Sequence, residues 1–382
     1  MLPRLLLLGT GPTNLLLLRE LARRPAPQRE TVVVADSPVA VSPGMLTGLL
    51  TGRYRREESV VDLAALALSA GAQLVVASLA SINARERTVR LEDGRTQLYN
   101  AASVAFGRHP AGSEIPGATS RARFLHSPDQ VASIATELVR IAREVPEQTP
   151  RVIVVGDGTA TFEVALALRR ILDQVEPAQG VVTIVSSAHV LWTRRGAAAR
   201  LAHRALERED VSAILGATVS EVGERQVTLS NGARVPFDYL VWATGAGAPG
   251  FSRASLQTDR DGRIVVDAFL QSVSAPGLFA SGASASLADP GDQGEGPARA
   301  AHQARVLRDN LLSVLAGKPP SAPYRLAARS LVLTETGGSS AIISSGVMAA
   351  EGRWVMRLKE RRERTLHRRL TGMPPAVHPG KS

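Results

Sequence analysis

Two stretches far apart in this chain are written to one pattern. RLLLLGTGPTN (Arg4–Asn14) and RVIVVGDGTAT (Arg151–Thr161) each lead a basic residue and four aliphatic residues into Gly-x-Gly-x-x-polar. A helical run follows each, LLLLREL in the first and FEVALALRR in the second. A lone Gly-x-Gly is a weak signal; two in register, each strand-then-helix, read as two βαβ openings of the nucleotide-binding kind. Such openings require parallel strands with helices on the sheet faces, so the fold class is α/β with two Rossmann-like units. Gly9 and Gly156 let the backbone turn sharply off the strand. Gly11 and Gly158 keep Cβ atoms away from a pyrophosphate approaching the amides and dipole of the helix N-terminus. The third glycine of the fingerprint, which lets helix and strand pack closely, is replaced by Asn14 and Thr161, and each helix is expected to stand slightly further out. The bland alternative is a pair of plain strand-turn-helix units that bind nothing.

The second strand of the first unit, TVVVAD, ends in Asp36, a carboxylate suited to the ribose hydroxyls of an adenosine and a little beyond the usual ~20 residues from the first glycine. The alternative for Asp36 is an ordinary acid capping a turn before Pro38. The matching strand of the second unit, VVTIVSSA, ends in Ser186 and Ser187 with no acid, and Arg194 and Arg195 follow. Serine with arginine suits a 2′-phosphate, which tilts this site toward NADPH over NADH, unless the arginines are simply solvated.

Composition narrows the chemistry. With no cysteine in 382 residues there is no disulfide, thiolate metal site or redox cysteine pair, so any redox chemistry belongs to a cofactor. No metal site is expected. The net charge of +10 is concentrated in the last helix, where Arg353, Arg357, Lys359, Arg361, Arg362, Arg364, Arg368 and Arg369 crowd together. Aromatic residues are not interleaved with these charges and no zinc-finger or RNP motif occurs, so nucleic acid is not expected as a partner. The N-terminal apolar run is broken by Gly9, Gly11 and Pro12, and no stretch reaches 18 uninterrupted apolar residues, so neither a signal peptide nor a spanning helix is expected. The expected location is the cytoplasm.

Along the chain, the first unit continues through SPGMLTGLLTGRY, a helix over VVDLAALALSAGA, strands at QLVVASLASINA and RTVRLEDG, and NAASVAFGRHP. A helix from Asp129 to Val145 and a Pro-bounded linker precede the second unit, which echoes the first and closes on FDYLVWATGAGAP. The turns Glu92-Asp93-Gly94 and Asn231-Gly232 mark hairpins. Strand-Gly-x-Gly twice, Ala243-Thr244-Gly245 after an apolar strand, and PGLFASGAS (Pro276–Ser284) together resemble the flavoproteins of the pyridine nucleotide-disulfide oxidoreductase superfamily. SPGMLTGLLTGRY, YRLAARSLVLTETGGSSAIISSGV and GRWVMRLKERRERTLHRRL are similar to its type II NADH dehydrogenase-like branch, most closely the flavoprotein associated with selenide, water dikinase.

The resemblance implies nested FAD- and NAD(P)H-binding domains with a small C-terminal α+β segment: FAD domain 1–115, inserted NAD(P)H domain 116–245, FAD domain again 246–320, and a hairpin with a basic helix 321–382. It places FAD along Gly9, Gly11, Pro12, Thr13 and Asp36, with Gly107 at the end of the first half. It places NAD(P)H along Gly156, Gly158, Thr159 and Gly245. Glu163 takes the position near the nicotinamide; its alternative is a first-turn glutamate favoured by the helix dipole. The family's aspartate for the flavin ribityl chain is Ala283 here, after Gly282, a loss of about 1.5–3 kcal/mol that Ser281 or Ser284 could partly offset; Asp289 and Asp292 stand in the stretch that follows. His302 and Gln303 lie near the start of the next helix, His302 being a candidate contact for flavin or acceptor, or else a surface histidine. The implied activity is hydride transfer from NAD(P)H to FAD and then to a quinone-like or other small acceptor, with peripheral contact at the inner face of the membrane through the C-terminal helix; the helix alternatively packs on the FAD domain. A second reading is a degenerate member that only binds nucleotide or partner.

Overall fold

Leu5, Leu6, Leu7 and Leu8 show no polar alternation, so the strand they form must be covered on both faces, as in a parallel sheet between helices. That is where they lie, each fully buried, in β1 (Arg4–Leu8). The computed structural model describes residues 2–23, 29–106, 112–125, 127–144, 149–175, 180–189, 196–244, 256–260, 262–288, 297–325 and 331–372. After β1 come α1 (Pro12–Arg23), β2 (Glu30–Ala35), the short α2 (Leu46–Leu50), β3 (Ala72–Val76) and β4 (Ala101–Val104). The helix expected across VVDLAALALSAGA starts later, at Leu63: Val60–Asp62 is a strand, and the Asp62 carboxylate caps the helix by accepting from the Ala65 amide at 3.0 Å.

A second sheet follows. It uses β5 (Arg123–Phe124), then, beyond α3 (Pro128–Glu144), β6 (Arg151–Val155), α4 (Thr159–Asp173), β7 (Val181–Ser186), α5 (Ala197–Arg208), β8 (Val211–Leu215) and β9 (Tyr239–Trp242). The chain then returns: β10 (Leu278–Ala280) pairs with β4 and completes the first sheet, and α6 (Pro297–Leu315) packs beside α1. The strand orders are β10-β4-β1-β2-β3 and β5-β9-β6-β7-β8, with every pairing parallel. In each sheet the order reverses beside the strand carrying the glycine pattern, at β1 and at β6. The crevice beyond the carboxyl end of such a strand is where ligands enter sheets of this kind.

The chain ends in an antiparallel sheet, β11 (Val332–Glu335), β12 (Ala341–Ser345) and β13 (Met348–Gly352), and in α7 (Arg353–Thr371). The apolar stripe of α7 is spent inside the protein. Leu366 and Leu370 join the core of the first sheet, and Val355 and Met356 pack on the terminal hairpin. Arg353, Arg357, Arg361, Arg362, Arg368 and Arg369 are exposed, as is Trp354. No helix among the described residues is long and apolar enough to cross a membrane.

Candidate functional site

The two glycine corners are built alike at the backbone. Gly9, at φ +85°, donates its amide to Val34 O at 2.9 Å; Gly156, at φ +151°, donates to Val185 O at 3.0 Å. Neither position admits a side chain. A Cβ on Gly9 would stand 2.7 Å from Phe106 Cα, and one on Gly156 would stand 2.7 Å from the Ala243 carbonyl oxygen.

The second glycines differ in what surrounds them. At Gly11 a Cβ would lie 2.6 Å from the Ala105 carbonyl oxygen, to which the Gly11 amide already donates at 2.7 Å. Gly11 is therefore required by the chain's own backbone crossing. At Gly158 the nearest atom to a Cβ is the Ala160 nitrogen at 4.0 Å, so the space there is open.

Each helix begins with donors to spare. In α1 the first helical bond from this corner runs from the Leu15 amide to Gly11 O, and Pro12 has no N–H. The Thr13 and Asn14 amides are thus left without a backbone acceptor among the described residues. In α4 the Thr161 and Phe162 amides both reach Gly158 O, leaving those of Thr159 and Ala160. Two amides at the positive end of a helix dipole, beside a glycine corner, form an anion cradle.

At the third position each polar side chain is turned to the sheet and hydrogen-bonded there. Asn14, 1% exposed, donates through Nδ2 to Leu8 O and Gly9 O, each at 3.0 Å, and accepts through Oδ1 from Ser103 Oγ at 2.8 Å. Thr161 donates to Ala243 O at 3.0 Å. A polar side chain holds helix to strand by hydrogen bonds where glycine would do so by close approach.

Around the first cradle, Asp36 is exposed just past the end of β2, and Pro12 is exposed while Thr13 is buried. The segment after β10 makes a tight turn at Gly282–Ser284, with Gly282 at φ +59° and Ala283 half-buried. Ser281 and Ser284 are 0% and 1% exposed. Both hydroxyls are thus shut away from open space, and that of Ser284 accepts from the Phe106 amide. From α6 it is Gln303 that reaches this place: its Oε1 accepts from Thr13 Oγ1 at 3.3 Å and from the Gly282 amide at 3.2 Å. His302 packs instead against the Tyr324 ring, centroids 5.0 Å apart, and burial and nearby Arg305 hold its pKa below the usual value. Gly107, Gly245, Arg194, Arg195, Asp289 and Asp292 lie outside the described residues.

Between α2, α4 and the C-terminal segment lies a buried charge cluster that the sequence reading missed. Lys359 Nζ donates to Glu335 Oε1 at 2.8 Å and to Glu363 Oε1 at 2.5 Å, and stands 3.6 Å from Glu163 Oε1. Glu335 also accepts from Arg53 and from Thr47 Oγ1; Glu163 Oε1 accepts from the Glu335 amide at 2.8 Å; Tyr54 donates to Glu363 Oε2 at 2.9 Å. Burial acts against the charge on Glu335, but Lys359 and Arg53 outweigh it and hold this carboxyl down to about 2. For Glu363 burial prevails over Lys359, and the carboxyl is pushed up to about 7. Lys359, whose charge burial also opposes, is kept protonated by Glu163, Glu335 and Glu363 around it. Glu163 thus belongs to this cluster, within reach of the segment, Gly44 to Tyr54, that precedes and follows α2; as the fifth residue of α4 it stands beyond the first turn, which corrects the alternative of a first-turn glutamate held by the helix dipole. A signal was present: Lys359 and Glu363 fall on the stripe of α7 that also carries Val355, Leu366 and Leu370. Among the described residues no group of His, Cys, Asp and Glu is arranged to hold a metal ion.

Two parallel sheets, one inserted into the other and each with a glycine corner at its switch point, define a two-dinucleotide-fold protein. The model of the pyridine nucleotide-disulphide oxidoreductase family matches residues 3–305, and the chain belongs to that family. An NADH dehydrogenase-like protein of Mycobacterium tuberculosis is 27% identical over 223 residues, 56% of this chain and 55% of that protein. The chain thus spans about half the length of the curated relatives it matches. Among solved structures, the sulfide:quinone oxidoreductase of Aquifex aeolicus superposes with a TM-score of 0.75 at 17% identity, over 97% of this chain and 92% of that one. NDH2 of Plasmodium falciparum in complex with NADH gives 0.71 at 11% identity, over 96% and 97%. At these identities the likeness is one of fold.

The family's cofactor pair is FAD and NAD(P)H. The first cradle fits a flavin dinucleotide at its phosphates and adenosine ribose, through the spare Thr13 and Asn14 amides and exposed Asp36. At the turn expected to face the ribityl chain it offers Ala283, no acid among the described residues, and two serines turned inward.

Proposed function

We propose that this chain is an FAD-dependent NAD(P)H oxidoreductase of the type II NADH dehydrogenase-like kind, delivering electrons to a quinone-like or other small acceptor. The observation that carries this is the pair of cradles with spare helix-terminal amides at both switch points. When bound, FAD supplies the hydride-accepting, electron-passing centre that the twenty amino acids lack. The chain's residues supply position and electrostatics. The first cradle, with Asp36, holds the resident dinucleotide, and the second, with the open space at Gly158 and the exposed Thr159, admits the reductant. We assign residues 1–115 and 246–320 to the first role and 116–245 to the second.

With no cysteine, electrons cannot leave through a protein disulfide. Glu163, on the helix that starts at the second cradle, is held by the Glu335 amide and Lys359, which fixes the carboxylate we assign as an orienting charge. Glu363 carries an exchangeable proton close to neutral pH on the same cluster, beside Gly44, so the cluster can give or take a proton. Peripheral membrane contact is supported by the hairpin tip, where Val347 and Met348 are 84% and 64% exposed, and by Trp354 among the arginines of α7.

Purification tests the reading. The protein should be yellow, absorb near ~450 nm as bound flavins do, and bleach on anaerobic addition of NADH or NADPH. A colourless protein that takes up no added FAD would sink it in favour of a nucleotide- or partner-binding module.

A further inference from the structure

We infer that Asp157 is the residue by which the second cradle recognises the adenosine ribose and selects NADH over NADPH. This rests on the reading of that cradle as a pyridine nucleotide site.

The two units can be superposed residue by residue through their sheets. Leu8 pairs with Val34, as Val155 pairs with Val185, and the first glycine of each corner donates to that same valine's carbonyl. This register sets Asp36 against Ser187 and Thr10 against Asp157. In the first unit the acid stands at the strand end and a neutral residue stands between the glycines; in the second the two have exchanged places.

Asp157 nevertheless reaches the strand end. Its Oδ1 accepts from the Ser187 amide at 2.7 Å, from Ser186 Oγ at 2.8 Å and, more weakly, from the Ala188 amide at 3.4 Å. Its Oδ2 accepts from Ser187 Oγ at 2.8 Å. The carboxylate is thus fixed over the end of β7 from the glycine corner, on an exposed residue. Oδ2 retains lone-pair capacity for a ribose hydroxyl donor.

That arrangement bears against the lean toward NADPH drawn from Ser186 and Ser187 with Arg194 and Arg195. Both hydroxyls and the Ser187 amide, the serine-side donors of that expectation, are already given to a carboxylate, while Arg194 and Arg195 lie outside the described residues. A 2′-phosphate arriving there would meet a like charge as well as occupied donors. A free 2′-hydroxyl would meet an acceptor.

The test is nucleotide binding by the full chain, measured calorimetrically with NAD⁺, NADP⁺, NADH and NADPH, which needs no turnover. Wild type should bind the non-phosphorylated forms more tightly, roughly tenfold or more. Asp157→Asn should tighten the 2′-phosphorylated forms about tenfold and weaken the others a few-fold, narrowing or inverting the preference. Combining Asp157→Ser with Ser187→Asp restores the first unit's layout and should restore preference for the non-phosphorylated forms. Equal binding of both classes by wild type, or discrimination untouched in Asp157→Asn, overturns the inference alone. If wild type binds none of the four, the reading of the cradle falls and the inference with it.

Discussion

Glu363→Gln is expected to stabilise the C-terminal helix at pH 8 and to leave it nearly unchanged at pH 5. Glu363 is 5% exposed, and burial lifts its carboxyl from 4.5 to about 7 despite Lys359 at 2.5 Å. A carboxyl raised in this way holds more protons folded than unfolded between those two values. Its contribution to stability is therefore full below ~4.5 and is lost as pH rises through about 7. At ~1.4 kcal/mol per pH unit the loss approaches roughly 3 kcal/mol by pH 8. Glutamine copies the protonated form, so the variant escapes that loss. Glu335 has the opposite sign: its contribution is present above 4.5 and is lost as pH falls toward about 2, outside the range compared. His302 and His367, both held below the usual imidazole value by burial, are common to the two proteins and cancel in a comparison at one pH. The assay is amide hydrogen exchange of peptides from 353–371, wild type against variant, at pH 5, 6, 7 and 8. A helix destabilised equally at all four values would refute the reasoning, because it would make Glu363 an ordinary ionised partner of Lys359.

Three further outcomes are expected. Ala283→Asp should tighten FAD about ten- to a hundredfold, read as retained flavin per chain and as quenching on titration; unchanged affinity would remove this turn from the ribityl chain. Gly158→Ala should fold with unchanged thermal stability, since its Cβ enters open space at φ −93°, yet bind pyridine nucleotide more weakly; Gly11→Ala, with a carbonyl oxygen at 2.6 Å, should lose stability outright. Asn14→Ala removes a buried side chain with contacts to Leu8, Gly9 and Ser103 and should cost about 2–4 kcal/mol in urea unfolding; a cost under about 0.5 kcal/mol would mean that helix and strand are held together by apolar packing alone.

The parallel sheets were legible because their signals are local: uninterrupted aliphatic strands, glycines at the turn and a helix behind each. The caps were partly legible, since Asp62 shortened an expected helix by a side-chain bond that propensity alone does not weigh. The charge cluster was not read. Its members come from Arg53, Glu163, Glu335 and Lys359, separated by most of the chain, and only the fold brings them together. On α7 the surplus of arginine made Lys359 look like one more solvated charge, although its stripe position with Val355 and Leu366 pointed inward. Likewise His302 and Gln303 are neighbours in sequence, but their directions on α6 differ, and only Gln303 faces the turn at Gly282.

Duplicated units expose their division of labour at the positions where they diverge. In register, Asn14 and Thr161 differ in size but do the same work, tying helix to sheet, so this divergence is structural. Gly11 and Gly158 are identical in type yet differ in need, one wedged against Ala105 and the other beside open space. The first corner is therefore fixed by its own backbone crossing, which fits the dinucleotide proposed to stay there. The second has open space beside Gly158, which fits the nucleotide proposed to enter and leave there. If the proposed ribose roles hold, the exchange of acid between Asp36 and Asp157 follows the same division: each corner has one carboxylate, that of the second being carried on the loop beside Gly158.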